Sequence, residues 1–289
     1  MKLKQLLLSS LLSVGLIFTG CSLDTNNSSS STNKSSSALD PAHIHFIDVG
    51  QGDAIFIQCG DFTMLIDAGD NGKGDDVVDY LKQFDITELD YFVATHMDAD
   101  HIGGADEVLE AFEVKNIVDS GATKKTTQTY ERYVVARDNE GAYYREDDNF
   151  TVKVNDNLSF NFIETGDNYS DENDNSVVIE MVYLDKQILF TGDMETQSEM
   201  ASLDLFRDVD ILKSAHHGSR TSSSEEFLDI VKAEYAVISA GEGNKYGHPH
   251  QEVLDRYDER NMEVYRTDLD GTIICVIDTK GNISWTTEK

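Results

Sequence analysis

The chain has 289 residues and carries 23 lysines and arginines against 54 aspartates and glutamates, a formal net charge of -31. Hydrophobic residues make up 39% of it, enough for a substantial core, which excludes a wholly disordered acidic chain. The charge argues against tight non-specific binding to a phosphate backbone, which needs clustered lysines and arginines. It does not exclude a metal-bridged contact with an anionic substrate. Three cysteines give no disulfide framework.

Residues 1–20 have the layout of a secretory signal peptide. A short basic start precedes an apolar run over 6–18, which is short for a membrane-spanning helix. Small residues then stand directly before Cys21, as in the bacterial lipobox, which implies cleavage before Cys21 and lipidation of its thiol. An uncleaved anchor is the alternative. Both place the protein on the extracellular face of the bacterial cytoplasmic membrane, and lipidation makes the contact with the membrane a lipid anchor only.

Residues 21–41 form a serine- and asparagine-rich stretch that cannot bury enough apolar surface to order itself. We interpret it as a flexible tether. Residues 42–289 contain no linker and no internal repeat, so we predict that they fold as one domain.

The elements of this domain follow from its apolar runs and helical spacing. In chain order the pattern predicts strands at 44–49, 54–59 and 62–66, a helix at 75–84, a strand at 91–94, a helix at 104–112, a strand at 116–118, a helix at 127–137, two or three strands up to 163, strands at 177–183, 187–191, 209–213 and 235–239, a helix at 251–260 and a hairpin over 271–286. Strands that form a meander and then alternate with helices favour layered sheets with helices outside.

Four candidate metal ligands follow the predicted strand at 91–94. These are His96, Asp98, Asp100 and His101, ahead of a pair of glycines. Imidazole nitrogens and carboxylate oxygens together suit Zn²⁺, Mn²⁺ or iron. As the chain leaves the strand, the first two side chains can point one way and the last two another. The spacing can therefore serve two metals side by side.

Three more segments with such side chains follow strands. They carry Asp193, then the pair His216 and His217, then His248 and His250. Six of the eight histidines are thus concentrated after strands. The other two, His43 and His45, alternate along the first strand, and we interpret them as structural.

The segments HFIDVGQGDAIFI, LIDAG, THMDADHIGG, NDNSVVI, LFTGDME, LKSAHHGS and NKYGHPH, in this order, resemble the metallo-β-lactamase superfamily. Within it they resemble the extracytoplasmic nuclease-like domain of the ComEC competence proteins, and the layout is also similar to phosphorylcholine esterase domains. The resemblance runs from about His43 to the C-terminus. It implies an α+β fold, a four-layer αβ/βα sandwich, with two divalent metal ions, zinc or manganese, at one edge.

The resemblance also implies roles for the candidate ligands. One metal is expected to bind His96 and Asp98, and the second to bind Asp100 and His101. Asp193 bridges the two, and one of His216 and His217 is the last ligand. Asp100 is also expected to orient the attacking water, and His248 to donate a proton to the leaving group or to contact the oxyanion. A packed turn ahead of the helix at 251–260 is the alternative for His248 and His250. Many superfamily members have a further histidine before the bridging aspartate, but residues 102–192 contain none. Asn175 orienting a water and Asp174 ligating are two alternatives there.

A further set of residues is expected to support the site or contact the substrate. The set is Asp48, Gln51, Asp53, Asp67, Asn175, Ser219 and Tyr246. Lys124 and Lys125 are rare positive charges in a polar loop, where solvation is favoured over a phosphate contact.

These features predict a hydrolase that uses metal-activated water outside the membrane. The substrate expected is a phosphodiester, either single-stranded DNA, which the ComEC resemblance favours, or a cell-wall phosphodiester, which the acidic charge favours. Another hydrolase on the same scaffold, such as an esterase or lactamase, is a second hypothesis. A non-catalytic, metal-binding surface lipoprotein is the third.

Overall fold

The computed structural model describes residues 39–121, 126–166 and 169–289. The predicted signal peptide, Cys21 and most of the tether lie outside this range, as do Lys124 and Lys125. Within the described residues, no helix has the length and apolar character needed to cross a membrane.

The described residues form strands and short helices that alternate through much of the chain. The strands are β1 (Ala42–Phe46), β2 (Ile55–Cys59), β3 (Phe62–Ile66), β4 (Glu88–Ala94), β5 (Glu113–Asp119), β6 (Tyr143–Glu146), β7 (Phe150–Lys153), β8 (Leu158–Ile163), β9 (Val178–Tyr183), β10 (Lys186–Phe190), β11 (Ile211–Lys213), β12 (Tyr235–Ile238), β13 (Glu263–Arg266), β14 (Ile273–Ile277) and β15 (Ile283–Thr287). The α-helices are α1 (Gly74–Lys82), α2 (Ala99–Ile102), α3 (Ala105–Ala111), α4 (Gln128–Glu140), α5 (Thr196–Ala201), α6 (Glu225–Val231), α7 (Gln251–Glu259) and α8 (Thr267–Asp270).

The strands pair into two mixed sheets. The first has the order β15-β14-β1-β2-β3-β4-β5-β6, and the second has the order β13-β12-β11-β10-β9-β8-β7. Strands β3, β4, β5 and β6 run parallel to one another, and so do β10, β11, β12 and β13. Because the carboxyl ends of neighbouring parallel strands meet at one edge of a sheet, the loops that follow β3, β4, β10, β11 and β12 can converge.

Three apolar layers hold the fold together. Phe46, Phe160 and Phe190 belong to a cluster between the two sheets. A second cluster includes Val77 of α1 and packs the first group of helices on the first sheet, and a third includes Phe227 of α6 and packs the later helices on the second. Helix, sheet, sheet and helix therefore form four layers, which confirms the predicted sandwich.

Sequence periodicity anticipates most of these elements. The helix predicted over 127–137 is α4, extended to Glu140 and ended by Gly141 in the left-handed conformation. Strand β13 was not predicted. Its sequence, EVYR, has little alternation, and the strand lies at the edge of the second sheet, where it pairs only with β12 among the described strands.

Candidate metal centre

Asp67, directly after β3, fixes the orientation of the segment that follows β4. Its Oδ1 accepts a hydrogen bond from the Thr95 backbone at 2.8 Å, and its Oδ2 accepts one from the Thr95 hydroxyl at 2.6 Å. The same Oδ2 lies 2.7 Å from Nδ1 of His101. All three residues are buried. A carboxylate that binds one ring nitrogen of a histidine turns the other nitrogen toward a metal, which is a common arrangement behind metal ligands.

Four side chains meet at short distances on the far side of this contact, and we call them the first cluster: Asp100, His101, Asp193 and His217. His101 Nε2 lies 3.3 Å from His217 Nε2 and 3.3 Å from Asp193 Oδ1. His217 Nε2 lies 3.4 Å from an oxygen of Asp100 and 3.4 Å from one of Asp193. Tetrahedral zinc with bonds of about 2.0–2.1 Å spaces its ligands about 3.3 Å apart. The nitrogens of His101 and His217 and the carboxylate of Asp193 have this spacing and fit a common metal ion, and Asp100 lies beside His217.

A second cluster shares Asp193 and adds His96, Asp98 and His216. His96 Nε2 lies 3.9 Å from Asp98 Oδ2 and 3.9 Å from Asp193 Oδ2, and His216 Nε2 lies 3.8 Å from the same Asp193 oxygen. His96 Nε2 is buried and has no hydrogen-bond partner. Such an orphaned nitrogen costs free energy unless something binds it, and a divalent cation would satisfy it.

The turn after β11 sends two consecutive histidines to different places. His216 and His217 both have positive φ, 49° and 55°, within a 3-10 turn over Ala215–Gly218. Left-handed backbone at non-glycine residues costs about 1–3 kcal/mol each and is concentrated at functional sites. The strain allows both rings to reach Asp193. The sequence left open which of the two belongs to the site, and the structure brings both to it.

Each of these histidines is oriented through its other ring nitrogen. His217 Nδ1 donates to the carbonyl oxygen of Ser239 at 2.9 Å. His216 Nδ1 lies 2.9 Å from Glu195 Oε1, and the Asn173 amide is within 3.5 Å of the His216 ring. The Nε2 atoms of both rings therefore face the site.

Four buried ligand atoms of Asp53, His101, Asp193 and His217 also lie within 4.8 Å of one another. This compact group includes Asp53 in place of Asp100. The Asp53 carboxylate, however, is already bound by Lys213, whose Nζ lies 2.8 Å from Oδ2. We therefore assign Asp100, which has Oδ2 facing His217 Nε2, to the first cluster and Asp53 to its wall.

The charges of the two clusters suit a cation. Burial and the neighbouring His101 lower the pKa of His96 to about 4, which leaves the neutral ring that a metal requires. Burial opposes a charge on His217, but Asp193 and Asp100 outweigh burial and raise the pKa of His217 to about 10. Asp193 and Asp67 likewise raise the pKa of His101 well above its usual range against burial. The carboxylates thus concentrate negative charge that protons or divalent ions offset.

His248 lies at the open side of the clusters. Its ring centroid is 5.5 Å from that of His216 and 6.3 Å from that of His217. Burial, followed by the charge of His217, lowers the pKa of His248 to about 4, and its Nδ1 has no hydrogen-bond partner. The Asn244 side chain holds the His248 main chain, accepting from its N–H at 3.0 Å and donating to its carbonyl at 2.6 Å.

The other predicted supporting residues lie at varied positions. Asp48 accepts from the Gly50 N–H at 3.1 Å, and Gln51 accepts from the Gly241 N–H at 3.3 Å.

Asn175 bonds the backbone of Tyr169 and Asp171, while its neighbour Asp174 holds Ser198. Ser219 contacts the Thr221 hydroxyl at 2.9 Å. Tyr246 is half exposed and stacks on His248. Asn175 does not reach a site histidine in these contacts, whereas Asn173, which was not predicted, contacts the His216 ring.

Sequence reasoning missed several contributors. Glu195 follows Asp193 by two residues, and its place in the motif was the one available signal. Lys213 lies in the segment LKSAHHGS and Asn244 in NKYGHPH, but lysine and asparagine are not typical metal ligands, so neither residue was singled out. Ser239 acts through its carbonyl, which carries no sequence signal.

The architecture and site now allow comparison with known proteins. The family model described as the metallo-beta-lactamase superfamily matches residues 47–242. The chain belongs to this superfamily. A solved structure from Parabacteroides distasonis ATCC 8503 has a TM-score of 0.51 at 12% identity, covering 78% of this chain and 92% of that one. CmlA, a diiron β-hydroxylase from Streptomyces venezuelae, also has a TM-score of 0.51, at 11% identity over 78% and 53% of the two chains. These likenesses concern the fold alone.

The curated relatives include competence proteins of the ComEC branch. ComE operon protein 3 of Bacillus subtilis (strain 168) is 33% identical over 255 residues, 80% of this chain and 32% of the relative. Competence protein ComA of Neisseria gonorrhoeae is 30% identical over 233 residues, 78% of this chain and 31% of the relative. This chain therefore spans about a third of the length of each.

Proposed function

We propose that this protein is a two-metal hydrolase that cleaves phosphodiesters. The observation that carries the proposal is the position of Asp193, whose carboxylate lies between the two histidine-containing clusters. Its Oδ1 contacts His101, and its Oδ2 contacts His217 at 3.4 Å and His96 and His216 at 3.9 and 3.8 Å. The first cluster would hold one divalent ion and the second cluster the other, with Asp193 shared. Nitrogen and carboxylate donors suit zinc or manganese.

Divalent ions in these clusters would activate a water as the nucleophile and offset the charge of the scissile phosphate. The protein's own groups supply orientation. Asp100 is partly exposed, with Oδ2 toward His217, so its carboxylate could hold the attacking water by a hydrogen bond. Because burial and neighbouring positive charge hold the pKa of His248 near 4, His248 is neutral at pH 7 and would contribute a hydrogen bond to the leaving-group oxygen.

The substrate proposed is single-stranded DNA or a cell-wall phosphodiester. The similarity to the nuclease-like ComEC domain supports DNA. The net charge of -31 supports a smaller substrate bound mainly at the metals, because an extended nucleic acid normally requires a basic stripe.

The test is hydrolysis by the purified protein loaded with Mn²⁺ or Zn²⁺. Bis-p-nitrophenyl phosphate, p-nitrophenylphosphorylcholine and single-stranded DNA would be the substrates. We expect metal-dependent turnover that falls at least about 100-fold in Asp100→Ala, since even outer contacts of metal sites change activity 10- to 100-fold. Asp61→Ala, an exposed aspartate in the turn between β2 and β3, is the matched control and should turn over like wild type. A folded, metal-loaded protein that hydrolyses none of the three would contradict the proposal.

We also propose that the protein acts outside the membrane, anchored by lipid on Cys21. The support is the sequence of residues 1–21 alone. Cells grown with labelled palmitate should yield labelled wild-type protein and unlabelled Cys21→Ser. Label on the variant, or none on wild type, would refute the anchor.

A further inference from the structure

Lys213, the last residue of β11, is a fully buried lysine two residues before the turn that carries His216 and His217. Lysine is almost never fully buried unless it is paired. Here Nζ lies 2.8 Å from Asp53 Oδ2 and donates to the Ser214 carbonyl at 2.9 Å. Asp53 is itself only 1% exposed. This ion pair therefore lies wholly inside the protein and joins the loop between β1 and β2 to the second sheet.

The second oxygen of Asp53 faces the first cluster. Asp53 Oδ1 is buried without a hydrogen-bond partner and lies 3.6 Å from His217 Nδ1. That nitrogen already donates to Ser239. Asp53 also belongs to the group of ligand atoms within 4.8 Å that includes His101 and Asp193. A bare carboxylate oxygen thus stands on the wall of the cluster while Lys213 holds the opposite oxygen.

Stability alone does not account for this arrangement. Removing two charges from water is expensive, and replacing a buried ion pair by apolar residues is often neutral or stabilising. Beside a divalent ion, each charge of the pair would change the free energy of metal binding, because charges interact strongly in the protein interior. The Asp53 charge favours a cation in the first cluster, and the Lys213 charge disfavours it.

We propose that Lys213 and Asp53 are positioning residues that set the affinity of the first cluster for its metal. Lys213 binds Asp53 through Oδ2 and keeps the carboxylate from becoming a ligand, while Oδ1 provides negative charge next to His217. The inference rests on the metal sites of the proposed function. Neither residue is expected to touch substrate.

Calorimetric titration of Mn²⁺ and of Zn²⁺ into the metal-free full-length protein and its variants tests the pair. The measured quantity is the direction in which each substitution changes the metal affinity. We expect Asp53→Asn to weaken binding at one site about 10- to 100-fold, the range for groups behind metal ligands. Lys213→Met should tighten the same site by about tenfold, since it removes a repulsive charge. The double variant, in which neither charge remains, should bind within about threefold of wild type. Lys186→Met, which removes a lysine paired with Asp210 at the start of β10, is the control and should leave both affinities unchanged.

Three outcomes would overturn the inference. If Asp53→Asn and the double variant both lose one equivalent of metal, Asp53 is a direct ligand. If Lys213→Met folds, by circular dichroism, and binds metal no more tightly than wild type, the pair is only structural. If Lys213→Met does not fold, the double variant, which has no unpaired charge, replaces it in the test. A double variant that binds metal no more tightly than Asp53→Asn then overturns the inference. Wild-type protein that binds two metals but hydrolyses no phosphodiester would refute the proposed function and leave this inference standing.

Discussion

At the scale of single residues, the site depends on which nitrogen of each histidine is free. Asp67 takes Nδ1 of His101, Ser239 takes Nδ1 of His217, and Glu195 takes Nδ1 of His216. In all three cases Nε2 is left to face Asp193. A neutral imidazole has one proton, and the partner of Nδ1 decides that Nε2 carries the lone pair. The partners behind the histidines would therefore orient the rings toward the proposed metals.

Asp67→Asn tests the role of Asp67 by replacing one carboxylate oxygen with an NH₂ group. The amide oxygen can still accept from Thr95, but its NH₂ group would face His101 Nδ1 and push the ring proton to Nε2, where a metal must bind. We expect metal affinity to fall about 10- to 100-fold, measured by calorimetric titration of Zn²⁺. Asp90→Asn is the matched control. Asp90 also accepts a backbone hydrogen bond, from Thr63, but it lies near the start of β4, whereas the site follows the end of that strand. Equal affinities for Asp67→Asn and wild type would show that the tautomer is not set by Asp67.

At the scale of elements, the site is built where parallel strands end. The runs before Asp67, His96, Asp193 and His216 were predictable because each is apolar and short, and because each ends in a polar, ligand-type residue. Strand β13 was not predictable in this way, since an edge strand needs little apolar alternation.

The finer geometry of the site was also outside the reach of sequence patterns. Here the two adjacent histidines reach different positions through left-handed backbone at both residues, and the letters HHG do not state a φ angle. Lys213 reads as the polar end of a strand, although tertiary packing buries it completely. Glu195 and Asn173 come to His216 through contacts between separate loops.

At the scale of the whole molecule, the proposed function requires a strongly acidic protein to bind an anionic substrate. The negative charge is distributed over the chain, whereas the two clusters lie at one edge of the sandwich, between the sheets that form its centre. Two divalent ions would supply local positive charge that the surface lacks, so substrate recognition would depend on the metals more than on basic side chains.

The proposed two-metal site requires that His216 and His217 bind two separate metal ions. The most direct measurement is the metal content of the purified protein by mass spectrometry after equilibration with Zn²⁺ and removal of free ion. We predict two equivalents for wild type and for the control His43→Ala, which removes a histidine from β1, and about one for His216→Ala. Two equivalents retained in a folded His216→Ala, or a single equivalent in wild type, would show that His216 does not hold a second metal ion.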